Sequence, residues 1–147
     1  MIGKFEMADC SSEIKVSAIF HVPAEVLYRI FTDERDMTRL TRSPTKFVPA
    51  EGSSFSFFGD SVVGTVARLE PSRSIQMQWR FSSWDSDSTV LISFKPLGSS
   101  SEISIHQTHI PPKDRFGNVD QDRLCRVGWE ERWINGLASV LGIPKAN

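Results

Sequence analysis

The residues of this 147-residue chain that could carry chemistry are few: His21, His106 and His109, the cysteines Cys10 and Cys125, the adjacent Glu130 and Glu131, and the arginines Arg29, Arg35, Arg39 and Arg42. A metal site needs several ligands converging on one point. His106 and His109 lie three apart in a stretch that alternates like a strand, which predicts opposite faces, and no CxxC or Cys/His cluster accompanies them. Cys125 falls in a helical stretch with no activating base beside it in sequence, which fits a small packed hydrophobe better than a nucleophile. Glu130 and Glu131 would project about 100° apart on a helix and could not flank one glycosidic bond, so they read as a solvated face. No GxGxxG, P-loop, GxSxG or HExxH pattern occurs, and the reading is of a non-enzyme with no catalytic residue, no metal and no cofactor.

Two sets remain. Arg35, Arg39 and Arg42, interleaved with Asp33, Glu34 and Asp36, form a modest basic cluster. Its plain reading is a solvated face, and its functional reading is docking to an acidic partner surface. The set Phe55, Phe57, Trp79, Phe81, Phe94, Trp133 and Leu137 either fills the space between a sheet and a helix or lines an apolar cavity that binds a ligand. Ten phenylalanines and four tryptophans favour the filled core.

Composition bounds what can hold these residues. Seventeen Lys and Arg against eighteen Asp and Glu leave a net charge of -1, so neither a nucleic-acid backbone nor an anionic membrane is the default partner. A hydrophobic share of 39% and an aromatic share of 10% indicate a folded domain, and the length suits one domain over residues 1–147. No apolar run approaches the ~20 residues of a membrane-spanning helix. Gly3, Lys4 and Glu6 stand where a secretory signal would be apolar, and two cysteines make no disulfide framework, so a cytoplasmic location is expected.

The elements follow from periodicity. Residues Glu13 to His21 alternate with Ile14, Val16, Ala18 and Phe20 on one face, as in a half-buried strand. Pro23 suits the first turn of a helix carrying Val26, Leu27, Ile30 and Phe31, and Asp33 with Asp36 predicts the cap of a second short helix carrying Met37 and Leu40. From Phe47 to His109 the period is two. Gly59-Asp60 predicts a hairpin turn, Val62 to Leu69 a strand, and Ile75, Met77, Trp79 and Phe81 the inner face of the clearest strand. Thr89 to Lys95 and Glu102 to His109 follow, with the serine cluster Ser99, Ser100 and Ser101 read as a hairpin loop.

A long helix begins at Asp120 or Gln121 and stops at Gly142 and Pro144, with Leu124, Val127, Trp133, Ile134, Leu137, Val140 and Leu141 as its apolar stripe. Gly128 and Gly136 inside it suggest close backbone approach. Segregated strands and helices make the class α+β, a curved antiparallel sheet gripping a long C-terminal helix, with two short helices after the first strand.

The stretch EGSSFSFFGDSVVGTVARLEPSRSIQMQWRFSSW, which ends at Trp84, resembles the C-terminal domain of the activator of heat-shock protein 90 ATPase. The carriers are Phe57-Phe58-Gly59-Asp60, Gly64 with Leu69-Glu70-Pro71, Ile75, Trp79-Arg80 and Trp84, then Ile110-Pro111, Gly128-Trp129, Trp133, Gly136 and Leu141-Gly142. Asp60 replaces the family's second hairpin glycine, and Trp133 stands where tyrosine or phenylalanine is common. The resemblance implies the helix-grip, START-like fold and a cochaperone-like accessory protein that binds the heat-shock protein 90 chaperone and modulates its ATPase cycle. The wider superfamily implies two alternatives, a module holding a small apolar ligand and, third, a cyclase-type enzyme. The full-length activator joins this domain to a larger N-terminal module for which 147 residues leave no room. Weak binding with little stimulation is therefore the expectation.

Overall fold

The computed structural model describes residues 11–146; Cys10 and the residues read for a signal lie outside the described residues. Six strands form one antiparallel sheet: β1 (Ser12–Phe20), β2 (Ser54–Phe57), β3 (Val62–Glu70), β4 (Ser74–Phe81), β5 (Ser88–Leu97) and β6 (Ser100–Ile110). Their spatial order is β1-β6-β5-β4-β3-β2, a meander whose last strand returns beside the first. The period-two face of β4 is the inner one, with Ile75, Met77 and Trp79 buried while Gln76, Gln78 and Arg80 are half-exposed. Between β1 and β2 lie α1 (Ala24–Ile30) and α2 (Glu34–Thr41). Asp33 caps α2 as its spacing predicts, accepting from the Asp36 N–H at 3.0 Å, and Met37 and Leu40 are buried beneath it. Pro23 sits one position earlier than expected, at the N-cap of α1 in extended conformation.

The C-terminal helix runs over residues 121–139 and is not uniform. It comprises α3 (Gln121–Gly128), a π segment (Trp129–Ile134) and α4 (Asn135–Ser139). A π turn adds one residue to the turn and so rotates the apolar face by about 100°. The buried residues are Gln121 and Cys125 in α3, Trp129, Trp133 and Ile134 in the π segment, and Gly136 and Leu137 in α4. Leu124 and Val127, expected inside, are therefore exposed. Beyond Ser139 the chain turns away through Gly142 (φ 70), and the tail closes the edge of β1, with Ala146 N–H donating to the Ile19 carbonyl at 2.9 Å and His21 N–H to that of Pro144 at 2.7 Å.

Three further expectations change. The β5–β6 hairpin turns on Gly98 and Ser99 alone, because Ser100 and Ser101 already pair in β6; Ser101 is buried and donates to the Val22 carbonyl at 2.7 Å. His106 and His109 are not on opposite faces. His109 takes φ 62 where the β1–β6 register slips, so the alternation resets there and Ile110 turns inward in its place. Gly136 is a close approach to α2, but Gly128 is not: a Cβ built there meets nothing within 4 Å.

Candidate functional site

The seven aromatic and apolar residues singled out in the sequence do converge between the sheet and the C-terminal helix. Phe55, Phe57, Trp79, Phe94, Trp133 and Leu137 are buried and Phe81 is half-buried. Trp133 is the hub. Phe57 meets it edge-on at 5.1 Å, Phe31 stacks on it at 5.4 Å, and Trp129 lies 5.5 Å away. Phe55 stacks on Phe57 at 4.7 Å, Phe94 reaches Phe31 at 6.0 Å, and Trp79 joins through Trp129 at 6.0 Å and Phe81 at 5.0 Å. The rings meet one another rather than a void. Two small spaces flank Trp129 and Trp133, of about 10 Å³ against Met77 and Ile92 and about 30 Å³ against Val62 and Cys125, while Phe55 also borders an open surface pocket of about 410 Å³. The two small spaces hold a water or two.

The interior carries polar groups that periodicity did not reveal. Gln107 is fully buried on β6; its Oε1 accepts from Trp129 Nε1 at 2.9 Å, and its Nε2 donates to Ser88 Oγ at 2.9 Å, which in turn donates to the Trp79 carbonyl at 2.6 Å. Gln121 Oε1 accepts from Trp84 Nε1 at 2.7 Å. Trp79 Nε1 is buried without a partner among the described residues. The only sequence signal for this network is a glutamine at an inward strand position and another in the first helical turn.

The nucleophile and metal readings find no support in this geometry. Burial pushes the Cys125 thiol up to about 12, the Asp122 carboxylate adds to the rise, and the hydrogen bond with Gln107 only partly offsets it. Such a thiol is protonated and inert at neutral pH. His106 Nε2 lies 2.7 Å from Glu13 Oε1 on the outer face, and this hydrogen bond holds the Glu13 carboxyl below its usual value. His21 Nδ1 is 3.0 Å from Ser100 Oγ. Among the described residues no three His, Cys, Asp or Glu side chains gather where a metal could bind. Glu130 and Glu131 are both exposed.

Arg35 and Arg39, four positions apart, share one exposed face of α2, and Arg42 follows at its left-handed C-cap. Arg39 Nη1 lies 3.4 Å from Asp36 Oδ1 and its side chain is 64% exposed. Arg35 and Arg42 have no ion pair among the described residues. Sequence reading missed a fourth member. Arg132, in the π segment, donates through Nη1 to the Thr41 carbonyl at 2.8 Å and lies 5.6 Å over the Phe58 ring. Between Arg42 and Arg132 runs an open groove of about 480 Å³.

The comparisons with known proteins agree with this fold. Residues 21–142 match the family model described as Activator of Hsp90 ATPase homolog 1-like protein. The mouse and human Activator of 90 kDa heat shock protein ATPase homolog 1 are each 25% identical over 132 residues, which is 88% of this chain and 37% of theirs. The chain thus spans a little over a third of the length of these curated relatives. Among solved structures, an HSP90 activator from Plasmodium falciparum superposes with a TM-score of 0.89 at 26% identity, over 91% of this chain and 99% of that one. CalU16 from Micromonospora echinospora, with a TM-score of 0.70 at 20% identity over 89% of this chain and 76% of its own, shares the fold. Among the described residues no helix is long and apolar enough to cross a membrane.

Proposed function

The chain belongs to the Activator of Hsp90 ATPase homolog 1-like family, and on that premise we propose that it is a cochaperone that binds the heat-shock protein 90 chaperone in the cytosol and modulates its ATPase cycle without chemistry of its own. The observation that carries this reading is the likeness to the HSP90 activator from Plasmodium falciparum, which runs along 99% of that chain. The filled interior supports a surface-acting role over the apolar-ligand alternative, because spaces of about 10 and 30 Å³ are far below the few hundred Å³ of a small-molecule pocket.

One domain offers the chaperone one face. A second module linked to such a domain would raise the effective concentration and tighten association by about 10²–10⁴-fold, so these 147 residues by themselves are expected to bind in the micromolar range if a tethered pair is nanomolar. Calorimetry against the cognate chaperone, with and without a non-hydrolysable nucleotide, tests the reading. Micromolar binding favoured by the nucleotide-closed dimer is expected, with little change in hydrolysis rate. No heat of association at about 100 µM protein and low salt, where a micromolar complex would be nearly saturated, would overturn it.

A further inference from the structure

We propose that the groove between the C-terminus of α2 and the C-terminal helix, edged by Arg42 and Arg132, is a seat for an acidic protein segment; this deepens the cochaperone reading by naming the surface and the chemistry of the segment it receives. The groove has a volume of about 480 Å³, with Arg42 on one wall, Arg132 and Glu131 on the other, and Gly136 and Leu40 where the two helices touch.

Arg132 is held in advance. One of its five N–H donors is spent on the Thr41 carbonyl at 2.8 Å, and its guanidinium carbon lies 5.6 Å over the Phe58 ring. The remaining donors have no partner among the described residues, and a guanidinium fixed at one corner loses little freedom on gripping a carboxylate in two-point fashion. Phe58, one of the two residues that position it, and Arg42, which follows the other, are backbone exceptions. Arg42, next to Thr41, has φ 57, and Phe58 has φ 54, left-handed angles that side chains other than Gly and Asn rarely take. Strain of this kind persists where surrounding structure enforces it, and ligand clamps are one such place.

Charge selects the occupant. In a chain of net charge -1, Arg42 and Arg132 line the groove, and Arg35 and Arg39 lie at exposed positions of the helix that Arg42 ends. Their carboxylate neighbours are few: Asp36 faces Arg39, Glu34 accepts from the Phe47 N–H at 2.8 Å, and only Glu131 enters the groove. Arg42 and Arg132 against the single Glu131 leave the groove net positive, which attracts a segment bearing carboxylates. Arg35 and Arg39 stand one turn apart, about 6 Å along the axis, which matches glutamates four apart on a partner helix.

Fluorescence anisotropy with a labelled Glu/Ala peptide bearing glutamates four apart tests the seat, with the Gln-for-Glu peptide as control. The acidic peptide is expected to bind at low salt, the control not, and Arg132→Gln or Arg42→Gln to weaken binding by about tenfold, one charge-assisted contact being worth about that much. Should Arg132→Gln unfold the domain, as melting would reveal, amide shift mapping on the unaltered protein takes its place, with the largest peptide-induced shifts expected at Thr41, Arg42, Gly136 and Ser139. Equal affinity for both peptides, undiminished binding by folded variants, or a shift map centred elsewhere overturns the seat whatever the chaperone does. Binding of the acidic peptide together with no chaperone binding leaves the seat standing and removes the cochaperone reading.

Discussion

A Cβ placed on Gly136 would stand 2.8 Å from the carbonyl oxygen of Leu40 and 2.7 Å from its Cδ1, so α4 and α2 touch at a point where only glycine fits. Alanine normally gains about 1 kcal/mol over glycine inside a helix. Here the backbone oxygen cannot step aside without moving α2. Gly136→Ala is expected to lose about 1–3 kcal/mol, the usual range for overpacking. Gly128→Ala, whose Cβ enters open space, is expected to gain up to about 1 kcal/mol. Urea melts of the two variants should therefore shift in opposite directions, and a common direction would disprove the close approach.

Much of this frame was legible because local patterns and tertiary burial agree. The alternation of Ile75, Met77 and Trp79 placed β4 inward, and Asp33 with Asp36 placed the start of α2. The C-terminal stripe is misphased in its first half for one reason: a uniform 3.6-residue period fitted to Trp133 and Leu137 cannot anticipate an inserted π residue, so it takes in Leu124 and Val127 and leaves out Trp129, whereas the packed reading of Cys125 agrees with its burial. His109 was misplaced likewise, because a bulge is a property of the pairing of two strands. The aromatic set was visible as composition and inward positions. The role of Arg132 was not, since its partner carbonyl and ring lie 91 and 74 positions away along the chain.

Two buried indoles make a contrast. Trp129 Nε1 donates to Gln107, so Trp129→Phe leaves a buried acceptor without that donor and is expected to cost about 1–3 kcal/mol beyond the lost contacts. Trp79 Nε1 has no partner, so Trp79→Phe removes an orphan donor and is expected to be the milder change. Trp79→Ala, which deletes the ring, is expected to cost about 3–5 kcal/mol. Denaturant melting that ranks Trp79→Phe as costlier than Trp129→Phe would contradict the network, and a loss below ~1 kcal/mol for Trp79→Ala would contradict the inward register.

Cys125 predicts an alkaline weakness. Its folded pKa of about 12 lies above the ordinary 9.0, so the protonated thiol is favoured by folding. The stabilisation is fully present below the unfolded value and is lost as pH rises from about 9 towards 12, by about 1.4 kcal/mol per unit over that window. In a Cys10→Ser background, stability should fall more steeply between pH 9 and 11 than in Cys10→Ser/Cys125→Ala, even though the alanine variant begins lower through lost packing. Parallel slopes would mean that the thiol ionises freely. The same burial predicts that a disulfide reagent labels Cys125 only as fast as the protein opens.

The exposed arginines of α2 allow stability and recognition to be separated. Arg35 and Arg39 make no buried contact, and the pair of Arg39 with Asp36 is long and solvent-screened, so Arg35→Glu/Arg39→Glu should leave the melting midpoint within about 0.5 kcal/mol of the parent. If this face meets an acidic chaperone surface, reversing two charges acts on the encounter, where long-range attraction is felt before contact. Biolayer interferometry at low salt should show association slowed by about tenfold or more with dissociation little changed. Raising the salt to about 1 M, where the screening length falls to roughly 3 Å, should bring the two proteins to nearly the same rate. An association rate indifferent to the reversal at every salt concentration would place the chaperone contact away from α2, and the basic stripe would then be a solvated face.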